Sequence, residues 1–461
     1  MALAPRNPGA AGALTGGSLP CYPPADAQAA PLAVAHGTAT GAAGQRRVAE
    51  VAGGFAVEGQ CLTPRVAAAR VAGRRASRRL EGENLPPHEL TRRELLKLIG
   101  GVGAGLAFGG PLTLPGCTPA VPGVMPLPTA PSTFSARVVA VRGRDLYEMT
   151  RRLIAGLGGM STVVDPGDTV FIKPNFLTAG LPRPNHTITG EITKPEIVVA
   201  VAEECLIAGA GQVIIGDGAQ VPRFGWEELV TLDGTSHLAA EAARLNAHYD
   251  GRVQLACLNS DSPDWDALPA RRTSLSAIYA SSLVTRADKL ISIPVLKTHH
   301  IARLTLALKN FMGVTPIARY GGGSETIGRF VLHATYGGPE SAFLDVVEAI
   351  RPHLAVIDAS IGCEGYGPWV GPKAGHTVDM RERLGDWLML ASTDLVAADA
   401  TAARIVGQDY TTIPYLSSAY DQGLGQARAD RIALDGATLD ELRVEWEPAR
   451  VASSPSDSVM K

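Results

Sequence analysis

From Arg137 onward, short apolar, β-branched runs alternate with helix-patterned segments, and no other feature of the chain constrains its fold as much. The runs at 169–172, 211–216, 290–293, 354–357 and 387–390 read as strands. Helical patterns follow at 195–208, which has Pro195 in its first turn, and at 303–311, 343–350 and 395–406. Strand–helix alternation of this kind predicts an α/β fold, a mostly parallel sheet flanked by helices. Residues 218–288 are less regular and read as an insertion or cap.

In such a sheet, ligands bind just beyond the carboxyl ends of the strands. The predicted ends carry Lys173-Pro174-Asn175, Gly216-Asp217-Gly218 and Lys297-Thr298-His299-His300. Asp358 and the glycine-rich 362–368 end a fourth run, and Thr393-Asp394 a fifth. Lysine usage sharpens the pattern. Only eight of the 42 basic Lys and Arg residues are lysines, yet Lys173 and Lys297 both stand at predicted strand ends. A lysine can lose its proton, form a Schiff base, or present a compact charge to an anion. The glycines of 362–368, Gly365 and Gly367 among them, either let backbone N–H groups converge on an anion or simply form a tight turn. The segment is neither a dinucleotide fingerprint nor a P-loop. Glu364 within it is a candidate general base or metal ligand.

His299 and His300 lie beside Lys297, and His333 and His376 lie in glycine-rich stretches. With Asp217, Asp358 and Glu364 they offer donors for a divalent metal, and His299, Asp217 and Glu364 are the first candidates. No histidine spacing here is that of a zinc protease helix. On one continuous helix Thr298 and Lys309 would stand about 16 Å apart. Lys297 and Lys309 therefore meet one small ligand only if the helix begins later or the ligand is long. Asp394 and Asp399, five residues apart, point to different faces of one helix. Asp394, at its predicted start, reads as a cap.

The first 136 residues have a different texture. Residues 1–90 are Ala, Gly, Pro and Arg with almost no aromatics and no lysine, which cannot bury enough surface to offset chain entropy. Two readings fit: a disordered arm, or a start of translation further along. Thr91-Arg92-Arg93-Glu94-Leu95-Leu96-Lys97 followed by a glycine-rich, uncharged run to Cys117 resembles a twin-arginine export signal. Leu114-Pro115-Gly116-Cys117 resembles a lipoprotein box, with Cys117 as the lipidated residue. Residues 118–136 read as a Pro-rich tether. The chain is thus expected to meet the twin-arginine translocation machinery, to lie in the periplasm or cell envelope, and to be tied to a membrane through Cys117. The folded domain is expected over 137–461.

Composition excludes several classes. A formal charge of −3 argues against a nucleic-acid binder. The six cysteines never fall as C-x-x-C, so no iron–sulfur cluster, zinc ribbon or disulfide scaffold is expected.

The segments FIKPN (171–175), TKPEIVVAVAEECLIAGAGQVIIGDG (193–218), LISIPVLKTHHIARLTLALKNFMGV (290–314), HATYGG (333–338), AVIDASIGCEGYGP (355–368) and STDLVAADATAARIVG (392–407), taken in order, resemble the domain of unknown function 362 family. The resemblance covers about 160–430. It marks Lys173, Asn175, Asp217, Lys297, Thr298, His299, Lys309, Asn310, Glu364, Asp394 and Asp399 as positions of the family pattern. Some members carry ferredoxin-type cysteine clusters, from which this chain departs.

Residues and resemblance together favour an exported enzyme acting on a small phosphate or carboxylate. Lys297, His299, Glu364 and Asp217 would do the chemistry. Lys173, Asn175, Thr298, Lys309, Asn310, Gly365 and Gly367 would bind the substrate. A non-catalytic anion-binding lipoprotein and a metal or cofactor carrier are the alternatives.

Overall fold

The computed structural model describes residues 135–182, 185–321, 328–333 and 338–450, with backbone alone at 330, 333 and 338–340. The expected arm, export signal, lipobox and most of the tether lie outside the described residues.

Thirteen strands run in chain order: β1 (Ala136–Gly143), β2 (Thr169–Pro174), β3 (Gln212–Asp217), β4 (Val253–Cys257), β5 (Trp265–Pro269), β6 (Ala277–Ser281), β7 (Lys289–Ile293), β8 (Val295–His299), β9 (Arg303–Thr305), β10 (Leu354–Glu364), β11 (His376–Asp379), β12 (Trp387–Ser392) and β13 (Ile432–Asp435). The principal row is β13-β1-β12-β10-β7-β2-β3-β4. Within it only β12 opposes its neighbours, pairing antiparallel with both β1 and β10, while the other pairs are parallel. The fold is therefore α/β with a mostly parallel sheet.

Each strand sends alternate residues to opposite faces. Val170 and Ile172 of β2, Val213 and Ile215 of β3, and Met389 and Ala391 of β12 enter one apolar core. Phe171, Ile214, Leu388 and Leu390 enter the other. Helices α1 (Leu146–Gly156) and α2 (Pro195–Ile207) cover the first face. Helices α5 (Gly338–Ile350) and α6 (Leu395–Ile405) cover the second. Burial on both faces is why these strands read as continuous apolar runs. Between α2 and α5 lie α3 (Leu238–His248) and the single turn α4 (Ala307–Asn310).

Two expectations need revision. Residues 218–288 hold α3, the edge strand β4 and the separate β5–β6 hairpin, so part of this stretch extends the sheet. Residues 303–311 are not one helix. Arg303 has a positive φ of 67°, β9 turns back along β8, and helical structure begins only at Ala307. There the Asp399 carboxylate accepts from the Ala307 and Leu308 N–H groups at 2.8 and 3.0 Å.

Candidate active-site cleft

At the carboxyl ends of β2, β3 and β8 an open cleft holds about 840 Å³ of empty space, its mouth included. Lys173 and Asn175 enter it from β2 and the turn after it, Asp217 from β3, His299 and His300 from the end of β8, and Lys309 and Asn310 from α4. Arg329, Pro368 and Trp369 complete the wall.

Lys173 Nζ lies 2.6 Å from Asp217 Oδ1, and Asp217 Oδ2 accepts from the Phe176 N–H at 2.7 Å. Lys173 Nζ also donates to the Pro174 carbonyl at 2.7 Å and to Asn310 Oδ1 at 3.3 Å. Burial pushes the Lys173 amine down, with Asp217 opposing. A side chain on Gly313 would strike this pair, since its Cβ would stand 2.6 Å from Asp217 Oδ1 and 2.9 Å from Lys173 Nζ.

The network continues sideways. Asn310 Oδ1 accepts from Asn175 Nδ2 at 3.2 Å, and Asn175 Oδ1 accepts from Lys297 Nζ at 2.7 Å. Lys297 Nζ also donates to the Glu191 carbonyl at 2.6 Å. Lys297 is thus buried one layer behind the cleft wall, its amine pushed down to about 8 by burial. Asn310 Nδ2 donates to the Lys173 carbonyl at 2.7 Å, which fastens α4 to β2.

Lys309 differs. It is buried in the cleft wall, and its amine has no hydrogen-bond or carboxylate partner among the described residues. Burial and the charge of Lys297 push it down to about 7. Arg329 is held by the Thr315 carbonyl at 2.8 Å and the Gly313 carbonyl at 3.2 Å. Burial lowers its guanidinium to about 10, against the pull of Asp217. Further buried polar atoms of cleft-lining residues, Gln220 Oε1, Thr305 Oγ1 and Trp369 Nε1, lack hydrogen-bond partners within the described protein. Native interiors rarely leave such groups without a reason.

The histidines form a stacked pair, ring centroids 4.8 Å apart and planes 12° apart. His299 Nδ1 accepts from the Ile301 and Ala302 N–H groups at 3.0 and 3.3 Å, so its neutral ring carries the proton on Nε2. His300 Nδ1 lies 2.8 Å from the Gly367 carbonyl and must donate to it, so its neutral ring leaves Nε2 as a bare acceptor. Burial lowers the His300 imidazole, with the Gly367 carbonyl opposing and the charge of Lys309 adding to the fall. Two imidazoles of opposite tautomer therefore stand in one wall.

Several expected site residues are elsewhere. Glu364 is not in the cleft wall. Its Oε1 pairs with Arg383 at 2.8 Å and its Oε2 accepts from the Glu447 N–H at 2.8 Å. Thr298 donates to the Cys363 and Gly365 carbonyls. The Gly365 N–H donates to the Glu447 carbonyl and the Gly367 N–H to the Gly365 carbonyl, so these glycines form turns and leave no donors for an anion. Asp394 follows β12, whose opposed direction puts it at the other edge of the sheet. It caps α6 through the Ala397 N–H and also accepts from the Gln426 N–H. Asp399 acts on α4 from behind, its carboxyl pushed up to about 8 by burial against the two N–H groups that favour its charge. Asp358 pairs with Lys194 at 3.2 Å, both fully buried. His376 is exposed beside Glu447, and the His333 side chain lies outside the described set.

The metal set of His299, Asp217 and Glu364 is not assembled. Asp217 is engaged by Lys173 and Phe176, and Glu364 lies elsewhere. Among the described residues no group of three or more His, Cys, Asp or Glu is placed to hold a metal ion.

Sequence reasoning missed Arg329, Lys194 and the role of Trp369. Arg329 is one arginine among 34, and only its place near the glycines of 321–328 distinguishes it. The Lys194–Asp358 pair joins residues 164 positions apart, a contact no local pattern reveals.

Comparison with known proteins places these features. A thylakoid-associated protein, sll1697, of Synechocystis sp. is 30% identical over 291 residues, covering 62% of this chain and 77% of the relative. Among solved structures, the lactate racemase apoprotein of Thermoanaerobacterium thermosaccharolyticum is 13% identical with a TM-score of 0.28, covering 49% of this chain. A protein from Thermotoga maritima is 12% identical with a TM-score of 0.28, covering 62% of this chain. The chain spans 50% and 59% of the lengths of these two structures. Among the described residues no helix is long and apolar enough to cross a membrane. Residues 170–404, from β2 through most of α6, match one family over half of the chain, and the protein therefore belongs to the family described as Domain of unknown function (DUF362).

Proposed function

We propose that the protein is an enzyme that binds a small carboxylate or phosphate in this cleft and moves a proton on it. The observation that carries the reading is Lys309. The carboxylate among the residues described as lining the cleft, Asp217, is already engaged by Lys173, while the Lys309 amine has no acceptor among the described residues. An anion entering the wall would supply that acceptor, in a cleft that the Arg329 guanidinium also lines, and both groups suit carboxylates and phosphates. It would also raise the Lys309 amine again, so that binding takes up a proton near neutral pH.

The stacked histidines support proton movement. His299 carries its ring proton on Nε2 and His300 leaves its Nε2 as an acceptor, the two proton states that acid–base catalysis on imidazoles uses. Lys173 and Asp217 hold the floor in place, and the Asn175–Asn310 bridge holds Lys173 relative to Lys297. Localisation in the cell envelope is proposed with this function, supported by Arg92-Arg93 and the box ending at Cys117.

Titration calorimetry at low salt with acetate, propanoate and inorganic phosphate tests the reading. Saturable binding that weakens in Lys309→Met and Arg329→Gln is expected, with proton uptake visible as a buffer-dependent heat. Binding that ignores both substitutions would refute it.

A further inference from the structure

We propose that Glu191 is a positioning residue for His300: through Val370 it fixes the loop whose Gly367 carbonyl holds the His300 ring proton on Nδ1. The inference rests on the acid–base reading above, in which His300 Nε2 is a proton acceptor, and names the residue that keeps it one.

Glu191 stands between β2 and α2, buried, and is not among the residues lining the cleft. Its Oε1 accepts from the Val370 N–H at 2.8 Å, and its Oε2 from the Thr189 hydroxyl at 3.1 Å. Its carbonyl accepts from Lys297 Nζ at 2.6 Å. The backbone on either side is fastened to the sheet. A side chain on Gly190 would strike the Gly362 carbonyl of β10. The Thr193 hydroxyl accepts from the Asn175 N–H at 2.9 Å and donates to the Ile293 carbonyl at 2.6 Å. Lys194 pairs with Asp358 of β10 at 3.2 Å. Glu191 is therefore a fixed point.

The loop between β10 and β11 has no such support from regular structure. It closes on itself where the Gly375 N–H donates to the Trp369 carbonyl at 2.8 Å. It meets His300 on two sides. The Gly367 carbonyl lies 3.0 Å from the His300 N–H and 2.8 Å from His300 Nδ1. The Tyr366 ring stacks on the imidazole, centroids 5.1 Å apart and planes 24° apart. Val370, the residue that Glu191 grips, follows Gly367 by three positions.

The consequence for His300 is chemical. A neutral imidazole has one ring proton, and a carbonyl can only accept, so the nitrogen facing Gly367 must carry it. Nε2 is then the acceptor. A hydrogen bond weakens steeply when its geometry is lost. A loop that slides away from His300 frees the proton to move to Nε2, and the acceptor disappears without any change in the histidine itself. A bond from a backbone N–H to a carboxylate is among the stronger ones available to hold such a loop.

The test is ring-nitrogen NMR of the full chain, isotopically labelled at histidine, with the His300 signals assigned by their loss in His300→Gln. Hydrogen exchange of the same samples is followed amide by amide. The wild type should show His300 as the Nδ1–H tautomer. Glu191→Met, which removes the acceptor and keeps an unbranched side chain, should shift His300 toward Nε2–H. The Val370 N–H should exchange about tenfold faster or more, as loss of a charged hydrogen bond implies, while amides of β2 and β3 stay as they were. Glu191→Gln keeps an acceptor oxygen and should restore both. The wild type alone can overturn the proposal where Glu191→Met fails to fold: a His300 with its proton on Nε2, or a Val370 N–H as fast as exposed amides, contradicts it. So does a Glu191→Met chain that keeps the Nδ1–H tautomer, or one whose exchange rises equally across the sheet, which would make Glu191 a residue of stability alone. Propanoate titrated into the wild type separates this inference from the reading beneath it. No binding overturns the anion site whatever the tautomer, and binding with a tautomer unmoved by Glu191→Met overturns only the role of Glu191.

Discussion

Lys173 Nζ stands 2.6 Å from Asp217 Oδ1, with both side chains almost wholly out of water. The pair joins the carboxyl ends of two adjacent parallel strands and forms the floor of the cleft. Removing one partner of such a pair strands the other as a buried charge, which costs far more than the pair contributes as a whole. Asp217→Asn should therefore lower unfolding free energy by about 3–5 kcal/mol. The double variant Lys173→Met, Asp217→Leu should recover most of that loss. Denaturant unfolding of the three variants checks this, and equal losses in the single and double variants would show that the charge is not what matters.

Lys309 makes a prediction of opposite sign. Its folded value lies near 7 against an ordinary 10.5, so between these values the unfolded chain binds more protons than the folded one. Stability then rises with pH across that window, and the cost of burying the ammonium is present in full below about pH 7. That cost is on the order of 5 kcal/mol for an amine lowered from 10.5 to about 7. Lys309→Met should be more stable than the wild type at pH 6, and the gap should shrink toward pH 10. A gap that does not change with pH would show that Lys309 is not a depressed, buried amine.

Much of this site was legible because a parallel sheet brings its strand ends to one edge. FIKPN, IIGDG and VLKTHH delivered Lys173, Asn175, Asp217 and the histidines to the cleft from local patterns alone. What failed were statements depending on partners distant in sequence. The opposed direction of β12 is a tertiary fact, so grouping Thr393-Asp394 with the other strand ends puts them at the wrong edge, although Asp394 does cap α6 as its place at the helix start suggests. Gly365 and Gly367 read equally as anion donors or as a tight turn, and the turn is what forms: the Gly367 N–H bonds the Gly365 carbonyl two residues back, while the Gly365 N–H goes to the distant Glu447 carbonyl that no local pattern reveals. Lys309 reaches the cleft because Asp399, some ninety residues on, sets where α4 begins.

That dependence makes Asp399 a positioning residue. An asparagine there has one acceptor oxygen and turns an N–H₂ toward the other backbone N–H, so α4 loses a fixed start. Asp399→Asn should weaken binding of propanoate and raise the pH at which Lys309 becomes reactive, in protein whose circular dichroism is unchanged. A variant that melts earlier but binds and titrates as before would assign Asp399 to stability alone.

Glu364 supplies the contrasting case. Its partner Arg383 is 37% exposed, so the pair is partly screened. Glu364→Gln should cost no more than about 1 kcal/mol. It should leave propanoate and phosphate affinities unchanged by calorimetry. A large loss of affinity would return Glu364 to the site.

The central claim is that an amine without a partner among the described residues waits in this cleft for an anion. Competitive acetylation of the full chain across pH, read out lysine by lysine by mass spectrometry, tests it most directly. Lys309 should become reactive with a midpoint near pH 7, well below exposed Lys373, and propanoate or phosphate should protect it. A Lys309 that reacts only near the ordinary lysine range, or that reacts equally with and without anions, would contradict the account.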